Sequence, residues 1–219
     1  MSAGSSSPIT AVKDRTMSWM LLILVITVIA SYQAFNRPAL KEQLLYHPYR
    51  VKTYQEWHRI VTHAFVHADF THLALNAFVL FQFGARIEAL MQQTLGPGVF
   101  PLLYFGGVVF AAIPGMIRHH DNPSYRSLGA SGAVSAVLIA YILHFPTSEL
   151  LLFFVLPLPA FAVGILFFVY EHQMDKRSKS NIAHDAHLWG GLYGLLFTVA
   201  TAPQAVPAFL GALSAYLGF

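Results

Sequence analysis

Apolar residues in this chain do not alternate with polar ones; they fall in blocks. Residues 17–30 read MSWMLLILVITVIA, and no charge follows until Arg37. A run of about 20 apolar residues crosses ~30 Å of hydrocarbon at ~1.5 Å per residue. Similar blocks recur, and the pattern predicts six spans, at 16–35, 71–90, 99–117, 129–145, 150–170 and 186–201. Breaks rich in glycine, proline or charge separate them: QTLGPG, RHHDNPSYRS, PTSE and EHQMDKRSKSNIAHD. Backbone groups in lipid must be satisfied internally, and no segment reads as alternating strands, so an all-α polytopic membrane bundle is predicted. A cleavable signal peptide fits the first block less well. No small-residue cleavage site follows it, and like blocks come after.

The same pattern divides the chain. Residues 1–15 are small and polar, and disorder is expected there. Residues 16–202 form the six-helix unit, with a long mixed segment at 36–70 that lacks a spanning run. Residues 203–219 are a short apolar tail, expected along the interface or against the bundle. The fourth span is short; ~17 residues make ~25 Å. Its N-terminal end, where GASG lies, is therefore expected below the membrane surface.

Composition agrees. Hydrophobic residues make up 56% of the chain and charged ones 11%, against about 25% charged in a soluble domain. Without cysteine, disulfides and thiolate metal sites are excluded. A net charge of +3 and the absence of a basic helix give no reason to expect nucleic acid as a partner.

Polar residues inside apolar spans are costly and often functional. His72 and Asn76 share one helix face in the second span, as do Ser131 and Ser135 in the fourth. In the sixth, His187 heads a stripe with Gly190 and Gly194. Small residues let helices in lipid approach closely, and Gly132 with Ala136 forms a matching stripe. If the two stripes pack together, Ser131 and His187 meet at one end, as a nucleophile and base require. Ordinary packing, with the serine bonded to its own helix, is the alternative. Ser131 also falls at a helix start, where unpaired amides favour developing negative charge. No acid lies in the fourth or sixth span, and Asp185 sits on another face from His187, so a dyad is the minimal scheme. Glu88, ~18 Å down the helix from Asn76, reads as a hydrogen-bonding anchor.

Together these residues resemble the rhomboid family of intramembrane serine proteases over about 57–201. The Gly-x-Ser-Gly motif appears as Gly129-Ala130-Ser131-Gly132. His-x-x-Gly-x-x-x-Gly appears as His187, Gly190 and Gly194. His-x-x-x-x-His-x-x-x-Asn appears as His67, His72 and Asn76. The Trp-Arg element of the first loop appears, with one insertion, as Trp57 and Arg59. The resemblance implies Ser131 as nucleophile and His187 as general base, with His72, Asn76 and the Ser131 amide binding the oxyanion. It implies segment 36–70 as a membrane-associated first loop, and the fifth helix with the cap near His184 as a mobile gate. It also implies transmembrane protein substrates in a lipid bilayer and no metal or cofactor. The expected setting is a bacterial inner membrane, with the site opening outward.

Two features depart from the family pattern. Ser135 stands where the family often has a tyrosine stacked on the base, so something else must hold His187. With the N-terminus inside, Lys13, Arg15 and Arg86 face inward and the other ten basic residues outward, against the positive-inside rule. Two rival readings stand beside the protease. The eleven histidines, clustered at His63/His67, His119/His120 and His184/His187, suit a metal-binding membrane protein or transporter. No HExxH motif and no mid-span carboxylate support it. The third reading is an inactive relative that binds membrane helices, though both serine and histidine are present.

Overall fold

A computed structural model describes residues 17–152, 155–177 and 184–219. The polar N-terminus expected to be disordered lies outside the described residues, as does most of the expected cap upstream of His184.

Helix α1 (Trp19–Asn36) carries no charged side chain, and many of its large apolar residues, such as Leu21, Val25 and Ile29, are exposed. Its start is capped twice. Ser18 Oγ accepts from the Leu21 amide, and buried Glu88 accepts from Ser18 Oγ (2.6 Å), Trp19 N (2.6 Å) and Met20 N (3.2 Å). A carboxylate there satisfies orphan amides and suits the positive end of the helix dipole. Glu88 is thus an anchor, as its position in the sequence indicated.

The first loop holds α2 (Pro38–Leu44), α3 (Pro48–Tyr54) and α4 (Arg59–Thr62), followed by a 3-10 turn (His63–Phe65). Proline opens both α2 and α3, where its missing N–H costs nothing. Arg59 is buried and ties the loop together. It donates to the carbonyls of Glu42 (2.7 Å) and Leu45 (2.9 Å) and pairs with Glu56, which also pairs with Arg50. Trp57, by contrast, is exposed.

Next come α5 (Phe70–Val79), a π turn (Leu80–Gly84) and α6 (Ala85–Thr94), one continuous helical stretch. Helices α7 (Val99–His119) and α8 (Ser131–His144) follow. Ten of the fourteen residues of α8 are buried, so it is a central helix that need not face lipid, which explains its shortness.

The fifth predicted span, 150–170, needs correction. Glu149–Leu152 (β1) and Leu156–Pro159 (β2) form an antiparallel hairpin with Glu149 opposite Pro159. Pro157 and Pro159 cannot donate helical hydrogen bonds, and they are tolerated on a strand with a free edge. Helix α9 (Ala160–Arg177) starts only after them. Its first amides donate to Ser148 O and Pro146 O, and it runs on through Glu171, which the sequence pattern assigned to a polar loop. Helix α10 (His184–Thr201) packs against α7, α8 and α9. The apolar tail folds as α11 (Ala205–Leu217), which contacts α8 and α10.

The chain is a helical membrane protein. Among the described residues, three stretches are long and apolar enough to cross a bilayer: Trp19–Asn36, Phe70–Thr94 and Val99–His119. Helices α10 and α11, bent by 106°, make a fourth if taken as one span. Helix α8 and the Ala160–Gln173 part of α9 are shorter apolar helices.

Candidate active site

Two anchors from the first loop fix the segment leading into α8. Tyr46 exchanges backbone hydrogen bonds with Ser127 (2.9 and 3.1 Å), and Gly129 N donates to His63 O (2.9 Å). Gly129 has φ +116°, and a Cβ there would stand 2.7 Å from the His72 ring. Backbone conformation and space both require glycine. The next residues turn into α8, and Ser131 becomes its first helical position. The Ser131 amide therefore has no intrahelical acceptor.

Small residues bring α10 against α8. A Cβ on Gly190 would stand 2.1 Å from Gly132 O, and one on Gly194 would stand 2.3 Å from Ala136 O. On its other side Gly132 faces α7, where a Cβ would stand 2.3 Å from Ala111 Cβ. At the N-terminal end of this seam His187 Nε2 lies 2.6 Å from Ser131 Oγ. The pair is only partly buried, and it lines a cavity of about 750 Å³ with His72, Asn76, Gly129 and Gly132. Four side chains singled out from the sequence, Ser131, His187, His72 and Asn76, thus border one space.

Helix α5 supplies His72 and Asn76 to the cavity, and buried His67 packs on His72. Ala130 N donates to His67 Nε2 (3.3 Å), so that nitrogen carries the lone pair. His67 Nδ1 then donates to Ser31 Oγ (2.9 Å), and Ser31 donates to Phe65 O (2.9 Å). Burial pushes the His67 pKa down to about 3, which keeps the ring in this neutral form. The His72 ring meets His67 edge-on at 4.9 Å. Asp69 caps α5 through the His72 amide (2.8 Å), and Asn76 Nδ2 donates to His72 O (2.9 Å). Asn76 is buried, while its other amide atom has no such bond among the described residues.

Ser135 does not border the cavity. Its hydroxyl donates to Ser131 O (2.7 Å), the back-bond a helical serine makes when no better acceptor is near. It gives His187 no contact. Trp189 and Tyr193 also lie elsewhere, packed on Phe110, and Tyr193 donates to Leu102 O. Asp185 is taken up by the Ala186 amide and Arg118 (3.1 Å).

The expectation that His187 lacks an acidic partner needs correction. Glu171 Oε2 lies 3.0 Å from His187 Nδ1 and 2.6 Å from His184 Nδ1. Glu171 and His184 are buried, at 6% and 4% exposure, which excludes competing water. Extending α9 past Tyr170 is what delivers this carboxylate, and a helical reading continued through YEHQ is the only sequence signal of it. The ligand atoms of Glu171, His184 and His187 lie within 4.8 Å of one another, a donor set of the type that binds zinc.

Comparison with known proteins places the chain in a family. The model of the Rhomboid domain matches residues 54–204. RHOMBOID-like protein 12, mitochondrial, of Arabidopsis thaliana is 28% identical over 81% of this chain and 56% of its own length. Rhomboid protease GluP of Bacillus subtilis is 31% identical over 66% of this chain and 26% of its own. Rhomboid protein 1, mitochondrial, of Saccharomyces cerevisiae is 32% identical over 63% and 40%. The chain thus spans about half or less of the length of these relatives. With mitochondrial relatives among them, a bacterial inner membrane gains no support over other membranes. Matched by that family model over more than half its length, the chain belongs to the rhomboid family.

Proposed function

We propose that this chain is an intramembrane serine endopeptidase that cleaves transmembrane protein substrates. The observation that carries the reading is the 2.6 Å contact of Ser131 Oγ with His187 Nε2 at the edge of a cavity. His187 Nε2 takes the hydroxyl proton as Oγ attacks a substrate carbonyl. The oxyanion forms near the Ser131 amide and is held with His72 and Asn76, which line the same cavity. His187 then protonates the leaving amine, and water releases the acyl group by the same steps. His67 and Gly129 support this wall, and Gly132, Gly190 and Gly194 set the helix separation. Arg59 and Trp57 belong to the first loop that braces the site.

The unit is read as six spans within 16–202: α1, α5 with α6, α7, α8, α9 and α10. By the family topology the site is read as opening to the outer face. With the start of the short helix α8 read as lying below that face, a substrate helix would unwind locally to reach Ser131. A fluorophosphonate probe tests the reading. Labelling that maps to Ser131 and disappears in Ser131→Ala supports it, and an unlabelled Ser131 in folded protein counts against it.

A further inference from the structure

We propose that Glu171 is a positioning residue for His187, completing a Ser131–His187–Glu171 relay in which His184 braces the carboxylate. The inference rests on the protease reading above. An ionised carboxylate only accepts hydrogen bonds. Its oxygen lies 2.6 Å from His184 Nδ1 and 3.0 Å from His187 Nδ1, so both nitrogens carry hydrogen and donate. For His187 this fixes the tautomer. With the proton on Nδ1, the lone pair is on Nε2, 2.6 Å from Ser131 Oγ, where a base must present it.

The carboxylate also acts after proton transfer. When the Ser131 proton moves to Nε2, His187 becomes a cation beside Glu171, and the pair is stabilised without a second transfer. Glu171 stays ionised throughout. The other neighbours of His187 leave it this task. Ser135 is bonded to Ser131 O, and Asp185 is engaged by Arg118. The His184 ring stands edge-on to His187 at 6.0 Å, and its bond to Glu171 fixes the carboxylate from the far side. His184 Nε2 is buried without a partner among the described residues. Among the described residues the carboxylate is that ring's one hydrogen-bond partner, and Tyr170 packs on it edge-on at 6.0 Å.

The test compares Glu171→Gln and Glu171→Asp with wild type and Ser131→Ala, using a model transmembrane substrate in detergent. Glu171→Gln is expected to lower kcat about 100-fold or more with KM within about twofold, because glutamine permits the wrong tautomer. Glu171→Asp should recover part of the rate, because it returns a carboxylate to the same neighbour. Unchanged kcat in folded Glu171→Gln would overturn the proposal while Ser131→Ala stays inactive. Activity in Ser131→Ala would instead overturn the protease reading itself. Nitrogen-15 spectra need no Glu171 variant. A hydrogen-bonded Nδ1 proton that disappears in His187→Ala supports the relay, and a His187 protonated at Nε2 alone refutes it. Stoichiometric zinc whose removal abolishes turnover would also refute it, by assigning the cluster to a metal.

Discussion

Gly190 of α10 lies directly against the Gly132 carbonyl of α8. A methyl group on Gly190 would meet that oxygen at 2.1 Å, where backbone rather than a flexible side chain must yield. The closeness of these two glycines sets the distance between the helices that carry Ser131 and His187. Gly190→Ala is therefore expected to cost about 1–3 kcal/mol and to part Ser131 Oγ from His187 Nε2. A lowered thermal midpoint in detergent, together with loss of probe labelling, checks this; an unchanged midpoint and unchanged labelling would mean that the seam has slack.

Gly129→Ala meets two penalties. A φ of +116° strains any side chain, at about 1–3 kcal/mol, and the new methyl would stand 2.7 Å from the His72 ring. Adding His72→Ala should relieve the clash but not the strain. The double variant is expected to regain part of the lost stability without regaining turnover. Equal stability of single and double variants would assign the whole cost to the backbone.

Glu88→Ala should act on stability alone. It leaves Ser18 Oγ and the amides of Trp19 and Met20 without their acceptor. Loss of a buried charged cap costs about 1–3 kcal/mol. The melting temperature should fall while turnover per folded molecule stays near wild type, because α6 meets the bundle at the end remote from Ser131. A fall in kcat without a fall in stability would contradict this.

Acid should loosen the first loop. Burial pushes the pKa of His63 down to about 4 and that of His67 to about 3, against about 6.5 when unfolded. Folded values below unfolded ones mean stability that is full above pH 6.5 and is lost as pH falls toward 4 and then 3. For His63 alone the loss is on the order of 3 kcal/mol. Glu56, held at about 2 chiefly by its hydrogen bond to Arg50, adds a second loss below about pH 4.5. Thermal midpoints from pH 8 to 4 should decline from near 6.5 downward, and a flat profile would contradict the buried neutral form.

Much of this architecture was legible in the sequence, and the exceptions have physical causes. Long charge-free runs such as that in α1 leave only a membrane or a core as environment, so they read clearly. Ser131 and His187 read clearly because each heads a stripe of small residues at helical spacing. Glu171 did not. Its contact with His184 spans thirteen residues of chain and follows no periodic pattern. Reading the fifth span from its apolar content set it too early, since Leu150, Leu151 and Leu156 are as apolar in a hairpin as in a helix. The two prolines were the better guide, and counting the helix from Ala160 would have carried Glu171 into it.

Cleavage of a model transmembrane substrate by purified wild type, Ser131→Ala and His187→Ala, each shown to be folded, tests the central claim most directly. The predicted result is turnover by wild type and none by either variant. Retained cleavage in either variant, or a wild type that cuts no membrane helix, would contradict it.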